Sequence, residues 1–290
     1  MPKIALLTDS TANLPREWIE KYPIEVVPLK IHWQNRTFLD GIDVKPDEFY
    51  RSFLRDGWSL PTTSQPAVQD FLQAFENQPV DVEGILVVLI SSGISGTVSA
   101  AQAAAGEYTR LPVEIVDTRT TSVGQAMIVQ AVARAAAQGR SLAELRHMAE
   151  DMARRGHTFF AVDTLKYLHR GGRINGAARL LGTALEIKPI LFINPEGKID
   201  ALESVRTRRK ALQRLVSLAM EQAGGRRVHV GIVHANSAHL ADELRHEIQK
   251  RLDCVELITL ELSPVIGVHV GPGTVGIAIY SPDLPSERNP

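Results

Sequence analysis

Residues 85–105 read Ile85-Leu86-Val87-Val88-Leu89-Ile90-Ser91-Ser92-Gly93-Ile94-Ser95-Gly96-Thr97-Val98-Ser99-Ala100-Ala101-Gln102-Ala103-Ala104-Ala105. Six consecutive apolar residues closed by two serines describe a short strand buried on both faces, because a strand with one wet face would alternate. A small polar turn follows, and from Gly96-Thr97 the chain enters an Ala-rich stretch of helical composition. Strand, small polar loop and helix together are the repeating unit of a parallel α/β sheet.

The same unit recurs on either side. Residues 4–7 precede Thr8-Asp9-Ser10-Thr11, residues 113–116 precede Asp117-Thr118, and residues 24–31 form another apolar run. Pro46, followed by Asp47 and Glu48, predicts a helix start, since proline suits the first turn and acids suit its positive end. Pro66 predicts another. Ser141 and Glu144 form a capping box ahead of Leu145, Met148 and Met152 on one face. After Gly156 the texture changes. Residues 187–193 and 198–205 flank Asn194-Pro195-Glu196-Gly197 as a hairpin, and residues 208–223 place Leu212, Leu215, Val216 and Ala219 on one helical face. Strands are expected at 228–233, 255–260 and 276–280. The expectation is two domains: a parallel α/β sheet over residues 1–156, then a mixed α+β unit over 157–290. The short connection near 157 implies a cleft between them.

Lys+Arg 32 against Asp+Glu 33 leaves a formal net charge of -1, so no global field favours nucleic acid or an anionic membrane surface. Cys254 is the single cysteine, which excludes an intramolecular disulfide and disfavours a cysteine metal site. The N-terminus reaches Asp9 too soon for a signal-peptide core, and the run 85–90 is far too short to span a bilayer. A cytoplasmic protein with no metal and no stable membrane insertion is expected.

In open parallel sheets ligands bind beyond the carboxyl ends of the strands, where this sequence places three clusters: 9–11, 91–97 and 117–122. Helix capping explains one such cluster well; three at equivalent edges point to a ligand. Ser95-Gly96-Thr97 is the most informative, because glycine admits a close approach and the following helix offers free N–H groups. Thr63, just before Pro66, can add a second hydroxyl. No Walker A motif is present. His269 sits in Ser263-Pro264-Val265-Ile266-Gly267-Val268-His269-Val270-Gly271-Pro272-Gly273, a frame that suggests a positioned imidazole rather than a merely structural one. The basic runs 165–174 and 205–210 each read as a solvated face.

Taken in order, Thr-Asp-Ser-Thr (8–11), Thr-Ser-Gln-Pro (63–66), Ile-Ser-Gly-Thr (94–97), Leu-Lys-Tyr-Leu with Gly-Gly-Arg-Ile (165–174), Ile-Lys-Pro-Ile-Leu (187–191), Val-Arg-Thr-Arg-Arg-Lys-Ala (205–211) and the 263–273 run resemble the DegV family nearly end to end. That family includes the fatty-acid-binding subunits, FakB, of bacterial fatty acid kinase. The resemblance implies two α/β domains with a long-chain fatty acid between them. It also implies a separate ATP-binding kinase subunit, FakA-like, that forms the acyl phosphate, so the chain is not catalytic alone. Carried over by motif, Thr63 and Ser95 hold the carboxylate, His269 lies beside it, and Arg206 serves phosphoryl transfer or kinase docking. Gly93 and Thr120-Thr121 depart from the family's usual residues, which bears on chain specificity. Physically, hydroxyls, backbone N–H groups and an imidazole cradle a carboxylate without a buried fixed charge.

The alternative from another class is a serine hydrolase. Gly93-Ile94-Ser95-Gly96-Thr97 approximates Gly-x-Ser-x-Gly, and Ser95, Asp117 and His269 keep the α/β-hydrolase order. Thr97 replaces the last glycine, and Asp117 comes early for a triad acid.

Overall fold

The computed structural model describes residues 3–55, 61–181 and 187–282; the outer ends of the two expected units, residues 1–2 and 283–290, lie outside the described residues. Its strands, in chain order, are β1 (Ile4–Asp9), β2 (Ile24–Val27), β3 (Lys30–Trp33), β4 (Arg36–Leu39), β5 (Thr62–Ser64), β6 (Gly84–Leu89), β7 (Val113–Asp117), β8 (His157–Ala161), β9 (Lys188–Ile193), β10 (Ile199–Val205), β11 (Val228–His234), β12 (Cys254–Glu261) and β13 (Val275–Tyr280).

Strand β6, the run that opened the sequence analysis, is buried along its whole length. It lies inside a parallel sheet of order β2-β1-β6-β7, with Leu7 opposite Val87 and Val88 opposite Val116. The expected single strand over 24–31 is two strands in two sheets. Pro28 has no N–H to give a ladder, so β2 ends in the parallel sheet and β3 begins a separate antiparallel sheet, β4-β3-β5. The Pro66 helix starts later than expected, at Val68, with the Asp70 carboxylate accepting from Ala67 N at 2.7 Å. The Ser141 capping box forms as read, and its helix, Leu142–Arg155, buries Leu145 and Met152.

The second sheet is mixed, in the order β10-β9-β8-β13-β11-β12, with only β11 and β12 parallel. Alternation along β8 assigns its two faces. Phe159 and Ala161 pack under helices Arg208–Ala223 and Ala238–Arg251. Phe160, with Val162 just beyond the strand, faces the other way, into a core shared with Leu29, Ile31, Phe49 and Ile90 from the first half of the chain. Apolar surface from both halves is therefore removed from water in one cluster, which is what holds the site together.

Helix Ser122–Ala137 was not evident from the sequence. It buries residues on nearly every side, with Val123 and Met127 in the shared core and Ile128, Val129 and Val132 beneath the parallel sheet. A helix covered all round shows no apolar stripe. Among the described residues, no helix is long and apolar enough to cross a membrane, and no group of three or more His, Cys, Asp or Glu residues is placed to hold a metal ion.

Candidate functional site

The segment 263–273, the frame expected to position His269, contains a two-turn helix, Pro264–Val270, with proline at its first position and Gly271 at φ 77 closing it. Proline fits there because that N–H would be unpaired in any case. The Asp40 carboxylate accepts from Val265 N at 3.1 Å and anchors the helix start. Burial raises the Asp40 pKa to about 6, while the hydrogen bond from Val265 N holds part of the rise down.

This helix carries His269. Its Nε2 is 2.6 Å from Thr63 Oγ1, and its Nδ1 is buried with no hydrogen-bond partner among the described residues. The ring lies directly on Gly171, where a Cβ would be 2.1 Å from Nδ1, so only glycine leaves room for it. Burial, reinforced by the nearby Arg173 charge, lowers the His269 pKa to about 4 and keeps the imidazole neutral at neutral pH. Thr63 is set by β5, where it pairs with Ile31 of β3. His32 Nε2, 2.9 Å from Ser64 Oγ, steadies that short strand.

Arg173 completes the cluster. Its Nε donates to Ile94 O at 3.2 Å and its Nη1 to Gly171 O at 2.7 Å. No carboxylate pairs with it among the described residues. Sequence reasoning assigned Arg173 to a solvated basic face and expected a cradle without formal charge. The fold instead turns this guanidinium toward His269 and leaves its charge uncompensated, which favours an anion. The signal available in the sequence was the flanking Gly171-Gly172.

Ser95 is part-buried, with its Oγ 2.8 Å from Thr97 Oγ1 and accepting from Thr97 N at 3.4 Å, at the start of helix Thr97–Glu107. Its neighbour Gly96 lies against Gln65, where a Cβ would be 3.1 Å from Nε2, so the 94–97 loop adjoins the end of the Thr63 strand. The loops following β6 and β7 are clamped to the β9–β10 hairpin: Ser91 Oγ donates to Gly197 O at 2.7 Å and Arg119 Nη1 to Pro195 O at 3.1 Å. Gly93 has its reason here, since a Cβ would meet Gly197 O at 2.7 Å.

Behind His269, Arg173 and Ile94 opens an apolar cavity walled by Phe160, Ile199, Leu262, Ile266 and Val270. On the other side of His269 and Arg173 lies an outer recess lined by Thr62, Thr63, Tyr167 and Arg170. The two polar residues thus stand between an apolar interior and an open polar mouth.

Other expected residues fall elsewhere. The 9–11 cluster spends its groups on structure: Asp9 accepts from Thr11 N, Ile90 N and Gln125 Nε2, and Ser10 Oγ accepts from Leu29 N. Asp117 accepts from Ser92 Oγ at 2.6 Å and from Arg119 N at 2.9 Å. With Asp117 so occupied and His269 Nδ1 facing no acid, the Ser95, Asp117 and His269 relay of a hydrolase is not assembled. Arg206 is exposed between β10 and the Thr207 cap of the following helix, and it shares none of the hydrogen bonds around His269.

A neutral histidine, a hydroxyl and a guanidinium with no carboxylate partner among the described residues thus stand beside an apolar cavity, between a parallel and a mixed sheet. The chain belongs to the DegV family, whose model matches residues 3–282 and is described as an uncharacterised protein family. It is 32% identical over 276 residues to Protein DegV of Bacillus subtilis, covering 94% of this chain and 98% of that one. With a DegV domain-containing protein of Streptomyces coelicolor it shares 35% identity over 283 residues, 96% and 98% of the two chains. Among solved structures it resembles a fatty-acid-binding DegV family protein from Thermus thermophilus, with a TM-score of 0.91, 33% identity and coverage of 96% and 99%. The crystal structure of DegV from Bacillus subtilis, described as a fatty acid binding protein, matches with a TM-score of 0.88, 30% identity and coverage of 97% and 100%.

Proposed function

We propose that this chain binds a long-chain fatty acid, with the alkyl chain in the apolar cavity and the carboxylate at Thr63, Ser95, His269 and Arg173. The observation that carries this reading is the meeting of an apolar cavity with a buried neutral imidazole and a guanidinium that has no carboxylate partner among the described residues. An alkyl chain gains about 0.8 kcal/mol per buried methylene, roughly 11 kcal/mol gross for a sixteen-carbon acid. Part of that is spent on association and chain ordering. Relatives described as fatty-acid-binding support the same ligand.

The carboxylate end faces the outer recess, where a second protein can reach it. We infer that the chain presents this carboxylate to an ATP-binding kinase subunit that forms the acyl phosphate, and that it does so in the cytoplasm as a binding subunit with no cofactor of its own. Arg206, exposed and in a basic run, is assigned to phosphoryl transfer or to docking of that subunit. The two units 1–156 and 157–290 are the halves between which the ligand lies.

Mass spectrometry of an organic extract of the denatured, purified protein tests the ligand. A saturated or monounsaturated fatty acid near stoichiometry is expected. An extract with no fatty acid, or with only a nucleotide, overturns the proposal.

A further inference from the structure

Beyond the main cavity a second, smaller one continues in the same direction. The pairing of β8 with β13 gives that direction: Val275 lies opposite Ala161 near the His269 helix, Ala278 opposite Thr158, and Ile279 opposite His157. The main cavity is lined along β8 by Phe160, Phe159 and Thr158, the second by Thr158, His157 and then Gly156. On the facing helix the main cavity takes Ser122 and Val123, and the second takes Gly124, Met127 and Ile128. Both walls step in one order, away from the polar mouth.

Two threonines stand where the cavities meet. Thr120 Oγ1 and Thr158 Oγ1 are 2.9 Å apart, joined by a hydrogen bond from one half of the chain to the other. They close over Gly124, where a Cβ would lie 2.6 Å from Thr120 Oγ1 and 3.1 Å from Thr158 Oγ1. One hydroxyl donates to the other, so the pair carries a hydrogen bond of its own at the cavity wall. An alkyl tail pushed between them would leave both hydroxyls unpaired in apolar surroundings, which costs more than burying another methylene gains.

We propose that the Thr120–Thr158 pair is the wall that ends the acyl chain and so sets the longest fatty acid this chain accommodates; this rests on the fatty-acid reading above. The apolar space past it, walled by Met127, Met152 and Ala153, lies unused behind the pair.

The test measures affinities of delipidated protein for saturated fatty acids of increasing length. In the unaltered chain affinity rises about fourfold per methylene until the tail meets the pair, then stops rising. With Thr120→Ala and Thr158→Ala together, the rise continues to longer acids. Ala153→Leu, which fills the second cavity, returns the double variant to the original limit and leaves the limit of the unaltered chain where it was. An unchanged limit in the double variant overturns the proposal. So does a shortened limit for Ala153→Leu alone, since the tail would then already occupy the second cavity; that variant decides the matter even where the double variant does not fold. A chain that binds no fatty acid of any length refutes the ligand assignment instead, a result distinct from a retained limit.

Discussion

Protonation of His269 offers a direct measure of how dry the site is. Burial, with Arg173 adding to it, holds the folded-state pKa at about 4, against an ordinary value of about 6.5 in the unfolded chain. Between these values the unfolded state binds more protons than the folded state, so this group's contribution falls as pH falls from about 6.5 to 4. At about 1.36 kcal/mol per pH unit of separation, the loss amounts to about 3 kcal/mol and is complete below pH 4. Asp40, at the start of the same helix, acts with the opposite sign. Its folded pKa is raised from 3.8 to about 6, so the folded state binds the extra proton and stability rises as pH falls through that window. The two offset each other in the unaltered protein, and the variant difference is the informative quantity. His269→Gln in delipidated protein should gain about 3 kcal/mol on the unaltered chain between pH 7 and pH 4. Chemical denaturation across that range, read as midpoints at constant slope, measures it. A difference that does not change with pH would refute the dry, positively flanked environment deduced for this imidazole.

Three further outcomes follow from the site. Ser95→Ala should weaken fatty-acid binding by about 1–3 kcal/mol, the cost of leaving a buried anion short of a donor; stoichiometric labelling of Ser95 in the unaltered chain by a fluorophosphonate would instead revive the hydrolase reading. Gly171→Ala places a methyl on the His269 ring and should cost about 1–3 kcal/mol of stability by overpacking, with a loss of ligand affinity by titration; unaltered affinity would show that the ring position is irrelevant to binding. Arg206→Ala should keep its fatty acid yet lose acyl-phosphate formation with a reconstituted kinase subunit, and loss of binding with normal turnover of the remaining complex would remove Arg206 from the transfer step.

Elements whose signals are local were legible along the chain. The run 85–90 is a strand because six apolar side chains in succession need cover on both faces, and β6 has that cover. The Ser141 box and the helix Arg208–Ala223 were legible for the same reason, since a cap and an apolar stripe are properties of neighbours along the chain. Thr63, Ser95 and His269 stood out because small polar residues and a framed imidazole interrupt apolar surroundings. Tertiary structure decided the rest. Whether 24–31 was one strand or two depended on which sheet received each half after Pro28, and helix Ser122–Ala137 carried no stripe because both halves of the protein cover it. Arg173 became a site residue only when folding set it between Ile94 and Gly171, with no carboxylate partner among the described residues. The cavity belongs to no segment. Its walls come from residues near 94, 121, 160, 199 and 266, far apart along the chain, and only packing decides what space they leave between them.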